Sequence, residues 1–181
     1  MSVDITELVR LCRNGDEKAM AEIIAIHKQL IFTIAYRMLH DYESSLDVCQ
    51  ETFIKAFRNI HRLKNPEYIK AWLCCIARNL IYDRLRKRKR QKNVSLEQIK
   101  EPSAPDQTAR IRKRMIIQKA LDRLKEQDRL LLVLFYYQNM DIREIAGVVG
   151  KKPANIKTAL SRARVRLRKE LNGYEEELLS S

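Results

Sequence analysis

DIREIAGVVGKKPANIKTALSRARVRLRKEL, Asp141 to Leu171, is the stretch on which the fold turns. Ile142, Ile145, Ala146 and Val149 fall at helical spacing and stop at Gly150, and Pro153 then opens a second helix. In that second helix Ile156, Leu160, Ala163, Leu167 and Leu171 form one apolar stripe. Two amphipathic helices, the first short, joined at a glycine, make the pattern of a helix-turn-helix. The other side of the second helix carries Lys152, Asn155, Lys157, Thr158, Ser161 and Arg162, whose donors and acceptors suit base edges and phosphate oxygens. A recognition helix reads bases with its first turns, so Asn155, Thr158, Ser161 and Arg162 are candidate base readers. Lys152, Lys157, Arg164 and Arg166 are candidate phosphate contacts. A merely solvated basic face is the plainer reading of such a charge run; the short partner helix and the intervening glycine favour DNA.

Working outward, the rest of the chain is also helical in pattern. None of the four glycines lies between Gly15 and Gly147, which leaves almost no turn chemistry for hairpins. Asp4 with Glu7 has the spacing of a capping box, and Ile5, Leu8, Val9 and Cys12 follow as a stripe. After Asn14-Gly15-Asp16, a second stripe runs Met20, Ile23, Ile24, His27, Ile31, Ile34, Ala35, Met38, with His27 read as a packed histidine. The third helix is expected to turn Leu46, Cys49, Phe53, Ala56, Phe57 and Ile60 inward. Asn65-Pro66 then supplies an N-cap and a first-turn proline for a fourth helix through Ile69, Trp72, Leu73, Ile76 and Leu80. That helix ends in a basic run, after which residues 93–109 hold Pro102 and Pro105 and little apolar periodicity, the marks of a linker. Further helices follow at Ile117 to Leu124 and around Leu131, Leu132 and Phe135, with a turn at Asn139 to Asp141. The expectation is an all-α chain of two small domains, 1–92 and 110–181, joined by a flexible linker over 93–109, with the helix-turn-helix in the second.

Charge favours a polyanionic partner. Lys and Arg number 36 against 23 Asp and Glu, a net +13, and both sides of the linker carry an excess of basic groups. The longest uninterrupted apolar run, Leu130 to Tyr137, is far short of the roughly 18 residues of a membrane span, and Met1-Ser2-Val3-Asp4 lacks a secretory signal pattern. The expectation is a soluble, cytoplasmic protein. Cys12, Cys49, Cys74 and Cys75 have no paired spacing and no finger-like histidines, so reduced thiols and no metal or cofactor are expected. Glycine-rich phosphate loops and catalytic triads do not stand out among motifs with only three histidines, which argues against an enzyme.

The fourth helix offers a second candidate surface. Basic and aromatic groups alternate along it, and Arg78, Asn79, Tyr82 and Asp83 are expected to share a face over about two turns. Together with Trp72 they would give unpaired bases donors, acceptors and a stacking ring, while Arg84, Arg86 and Lys87 would hold the backbone. Trp72 is as well explained by core packing.

These residues carry a family resemblance. Asp47-Val48-Cys49-Gln50-Glu51-Thr52-Phe53, Ala71-Trp72-Leu73, Ile76-Ala77-Arg78-Asn79-Leu80 and Asp83-Arg84-Leu85-Arg86 resemble the second conserved region of extracytoplasmic-function sigma factors of bacterial RNA polymerase. Ala120 to Leu124, Glu144-Ile145-Ala146 and Ile156 to Arg164 resemble the family's fourth region. The resemblance implies a first domain that binds the minus-ten element as separated single strand, Asn79 helping to hold an everted base and a loop near Leu63 to Tyr68 shaping the pocket. It implies that the helix bearing Asp47, Gln50 and Glu51 docks on the clamp coiled coil of core polymerase. It also implies that the second domain reads the minus-thirty-five duplex and sits on the polymerase flap. A cognate anti-sigma factor, commonly membrane-anchored, is an implied partner. The sequence departs from the family where Ala154 replaces glycine, Ala159 replaces arginine, and Pro153 stands one residue late. Two other readings fit parts of the chain: a helix-turn-helix regulator acting without replacing the sigma subunit, and a helical adaptor whose basic faces meet an acidic protein.

Overall fold

The structure is a computed structural model and describes residues 4–92 and 109–174. Apart from Ala109, the expected linker lies outside them. Among the described residues all regular structure is helical. The first half contains α1 (Ile5–Arg13), α2 (Glu17–Leu39), α3 (Tyr42–Arg58) and α4 (Ile69–Lys92). The second contains α5 (Ala109–Arg123), α6 (Glu126–Leu132), α7 (Ile142–Val149) and α8 (Pro153–Leu171).

Aspartate side chains start four of these helices. Asp4, Asp16 and Asp41 accept backbone N–H groups at the first turns of α1, α2 and α3, satisfying donors that have no partner within the helix. Only half of the expected capping box forms at Asp4, because the Glu7 carboxylate turns to Arg10 instead of the cap backbone. Pro66–Tyr68 is a separate 3-10 turn capped by Asn65, so α4 begins at Ile69, later than the proline signal suggests. The full capping box is at Asp141 and Glu144, and it starts the first helix of the helix-turn-helix. Gly150 ends that helix with φ +69°, a left-handed conformation for which glycine carries no Cβ penalty.

Helix α2 is the spine of the first half. By length and composition it is apolar enough to cross a bilayer, which no single uninterrupted run reveals. Here Ile23, Ile31, Ile34, Ala35 and Met38 are instead buried, and α2 packs against α1, α3 and α4. His27 joins them as expected; burial lowers its pKa, the nearby Lys70 charge adds to this, and Nε2 finds no hydrogen-bond partner. The inward face of α3 is rotated from its expected position. Ser45, Val48 and Thr52 are buried, whereas Leu46 lies outside. Buried hydroxyls are tolerated because Ser45 Oγ donates to the Asp41 carbonyl at 2.5 Å and Thr52 Oγ1 to the Val48 carbonyl at 2.7 Å.

In the second half α8 packs across α5, α6 and α7 through buried Ile156, Leu160 and Ala163. The run after α6, expected to continue as a plain helix, widens into a π-helical turn over Val133–Tyr137, and Met140 N–H returns to the Leu134 carbonyl at 3.1 Å. The two halves touch: α4 lies against α7, α2 meets α6, and buried residues of both join in one cluster.

Candidate nucleic-acid interface

Helix α4 presents two adjacent stripes rather than the single face expected of it. Trp72, Ile76, Asn79 and Asp83 turn toward the end of α3, where with Lys55, Asn59, Arg62 and Leu80 they line an open cavity of about 390 Å³. Arg78 and Tyr82 point to the other flank, into a cleft of about 300 Å³ shared with α6, α7 and α8. Asn79 stands on the ridge between and borders both. Its Oδ1 accepts from Arg78 Nη2 at 2.8 Å and Nε at 3.2 Å, which leaves the amide N–H groups free of any intramolecular bond among these contacts. Burial pushes the Tyr82 phenol above its ordinary pKa, outweighing the nearby Arg78 charge, so the ring stays neutral. Trp72 is half-buried: one side packs against the core and it also lines the cavity.

Three cavity residues, Lys55, Asn59 and Arg62, escape a reading of helical stripes because they come from another element. The signal was the short 3-10 segment between α3 and α4, which brings the end of α3 beside Asn79. Two cations and an amide around an aromatic ring suit a nucleobase with its phosphate.

Farther along α4, Arg84 pairs with Asp47 at 3.5 Å and Glu51 at 3.3 Å, so residues expected to hold DNA and polymerase hold each other here. Arg86 pairs with Asp83, and Lys87 is exposed. On α3, Asp47 and Gln50 are exposed and Glu51 also receives Lys55 at 2.9 Å. Beside Gln50 runs an apolar groove lined by Ile24, Leu46, Cys49, Phe53, Ile54 and Phe57, with Leu46 and Ile54 each about 40 % exposed. Sequence periodicity, which turned Leu46 inward, concealed that groove. Of the cysteines, Cys74 is the deepest, and burial raises its thiol pKa to about 12.

On α8, Asn155, Lys157, Thr158, Ser161 and Arg162 are all exposed, as is Lys152 at the N-cap position, which makes no side-chain cap. Thr158 Oγ1 bonds back to the Ala154 carbonyl at 3.3 Å. Arg164 and Arg166 are engaged within the second half: Arg164 lies over the Phe135 ring, 4.9 Å from its centroid, and Arg166 pairs with Asp128 at 2.5 Å.

Comparison with known families covers both halves. Residues 23–91 match the family model described as Sigma-70 region 2, and residues 114–167 match Sigma-70, region 4. Two curated relatives come from Bacillus subtilis. The ECF RNA polymerase sigma factor SigW is 29% identical over 94% of this chain and 98% of its own length, and the RNA polymerase sigma factor SigV is 30% identical over 81% and 90%. The chain belongs to the extracytoplasmic-function sigma factors. Among solved structures, this sigma factor superposes on CnrH, determined in complex with the cytosolic domain of CnrY, with a TM-score of 0.72 at 21% identity over 94% of this chain and 99% of that one. It also superposes on the sigma factor RpoE of Bartonella quintana, determined with the anti-sigma factor NepR, with a TM-score of 0.68 at 25% identity over 85% and 97%. It is an alternative sigma factor, a transcription initiation factor that binds DNA, and the reading as a free-standing helix-turn-helix regulator is not favoured.

Proposed function

We propose that this sigma factor divides promoter recognition between a first domain over 1–92 and a second over 110–181, with 93–109 as the linker. The cavity beside Asn79 takes an unstacked base of the minus-ten strand, Trp72 supplying a stacking surface and Lys55 and Arg62 the charge for its phosphate. Arg78, Tyr82, Asp83, Arg84, Arg86 and Lys87 follow the strand along α4. Leaving the duplex costs a few kcal/mol for the base, which burial and hydrogen bonding in the cavity offset. The observation that carries this reading is the juxtaposition of Asn79, Trp72 and two cations around one open cavity.

The exposed first turns of α8 read the minus-thirty-five duplex through Asn155, Thr158, Ser161 and Arg162, with Lys152 and Lys157 on phosphates. Arg164 and Arg166 would reach phosphates only after leaving Phe135 and Asp128. Asp47, Gln50 and Glu51, with the apolar groove beside them, dock on the clamp coiled coil of core polymerase. The mechanism involves contacts and no bond chemistry. An anti-sigma factor, the kind of partner with which RpoE was crystallised, restrains the protein in the cytoplasm, tethered at the membrane where that partner is anchored. Purified protein with core polymerase should give transcripts from particular fragments of a genomic library that core alone does not make. Tight duplex binding by the free protein with no new transcript would refute the reading.

A further inference from the structure

We propose that Arg13, at the end of α1, is a positioning residue for base selection: it holds the loop after α3 so that Arg62 stands at the wall of the cavity beside Asn79. The inference rests on the proposed capture of a minus-ten base in that cavity and adds the element that keeps the cavity in shape.

The wall facing α4 is made by Lys55 and Asn59 at the end of α3 and by Arg62 of the 3-10 turn Ile60–Arg62. Lys55 is fixed within the helix, and Asn59 Nδ2 donates to its carbonyl at 2.9 Å. Arg62 has less support. The Arg62 N–H donates to the Asn59 carbonyl at 2.9 Å and the Leu63 N–H to the Ile60 carbonyl at 3.2 Å, and hydrogen bonds in so short a 3-10 turn have poorer geometry than those of an α-helix. Ile60 and Leu63 are buried at its two ends, with His61 and Arg62 exposed between them. The chain leaves the turn extended, with φ −71° and ψ 103° at Leu63, so no helix supplies a partner for the Leu63 carbonyl.

Arg13 supplies one. Its Nη2 donates to that carbonyl at 2.5 Å, across 50 residues of chain. A guanidinium donor makes the bond charge-assisted and stronger than a neutral one. The helix behind it is well seated: Asp4 caps its start, Leu8, Val9 and Cys12 are buried, and α1 packs against α2 and both 3-10 turns. Arg10, one turn earlier, is taken by Glu7. Leu63 directly follows Arg62, so a shift of the Leu63 carbonyl carries the Arg62 backbone with it, and recognition groups must be held to about 0.5 Å by what supports them. Arg13 does not line the cavity and therefore acts through the loop. The match to Sigma-70 region 2 begins at residue 23, so α1 stands outside it and this role rests on geometry alone.

The test uses the full chain with core polymerase on one genomic fragment that it transcribes, each minus-ten position being changed in turn to the other three bases. The unmodified protein should show one position at which discrimination depends on Asn79. Arg13→Ala should lower the preference at that same position on the order of fivefold, the worth of one net hydrogen bond. Because Arg13 is exposed, competition for core, minus-thirty-five preference and the urea midpoint should hardly change. Arg13→Lys, which keeps a cationic donor, should recover most of the preference. In the free Arg13→Ala protein, amide hydrogen exchange should quicken at Arg62 and Leu63, whose N–H groups close the turn. A merely structural role would instead lower transcription from every variant alike together with the urea midpoint, and a direct phosphate contact would lower it alike with a shallower salt slope. Either uniform loss, or an unchanged preference, would overturn the positioning role. If Asn79→Ala relaxes one position and Arg13→Ala does not, the positioning role alone falls; if Asn79→Ala relaxes none, base capture falls and takes the positioning role with it.

Discussion

Replacing Asn79 with alanine separates base capture from every other part of the proposed mechanism. Asn79 is exposed on the ridge of α4, and the contacts it makes here are hydrogen bonds accepted from its neighbour Arg78. No buried partner is left behind, so the fold and the α3 face offered to polymerase should be intact. What disappears is an amide able to pair with an unstacked base. A specific hydrogen-bonded pair of that kind is worth about 1–3 kcal/mol of discrimination, which corresponds to a loss of roughly fivefold to more than a hundredfold in initiation. Run-off transcription with core polymerase measures the loss, and competition for core against the unmodified protein measures assembly. Equal transcription from the same promoters, at unchanged assembly, would show that Asn79 holds no base.

Three further outcomes follow from the geometry. Lys157→Ala on α8 should weaken duplex binding across sequences and reduce the slope of log affinity against log salt by about one, whereas Asn155→Ala should relax preference at one position and leave the slope alone; fluorescence anisotropy over a salt series distinguishes them. Because burial depresses the folded pKa of His27 below the about 6.5 of an unfolded histidine, the unfolded chain gains a proton first as pH falls. His27 should therefore cost stability progressively as pH drops below that value toward the folded pKa, and His27→Leu should flatten this decline in denaturant titrations. Leu134, fully buried at the π-helical turn, should cost about 2–5 kcal/mol when cut to alanine, read as a shift in the urea midpoint.

The helices were legible where an apolar stripe and a cap agree. The α7–α8 pair is the clearest case, since Asp141, Gly150 and Pro153 mark its boundaries and Ile145, Ile156 and Leu160 its core. Legibility failed where side-chain type does not fix direction. Ser45 and Thr52 are polar yet buried because backbone carbonyls one turn back accept their hydroxyls, and that rotation brings Leu46 out beside Gln50. The π-helical turn at Val133–Tyr137 lies within an unbroken apolar run that has no period to interrupt. Arg78, Asn79, Tyr82 and Asp83 lie within two turns of one helix, and only the packing of α3 on one side and α7 on the other splits them into two stripes. Lys55 and Arg62 reach the cavity from outside α4, a tertiary fact that spacing along one helix does not carry.

Placing 2-aminopurine in turn at each position of the non-template minus-ten strand is the most direct measurement of base capture. In open complexes formed with this sigma factor, one position should brighten sharply as its base leaves the stack, and Asn79→Ala should abolish that increase while the polymerase stays bound. A uniform signal along the strand, or a bright position indifferent to Asn79, would contradict capture in the α3–α4 cavity.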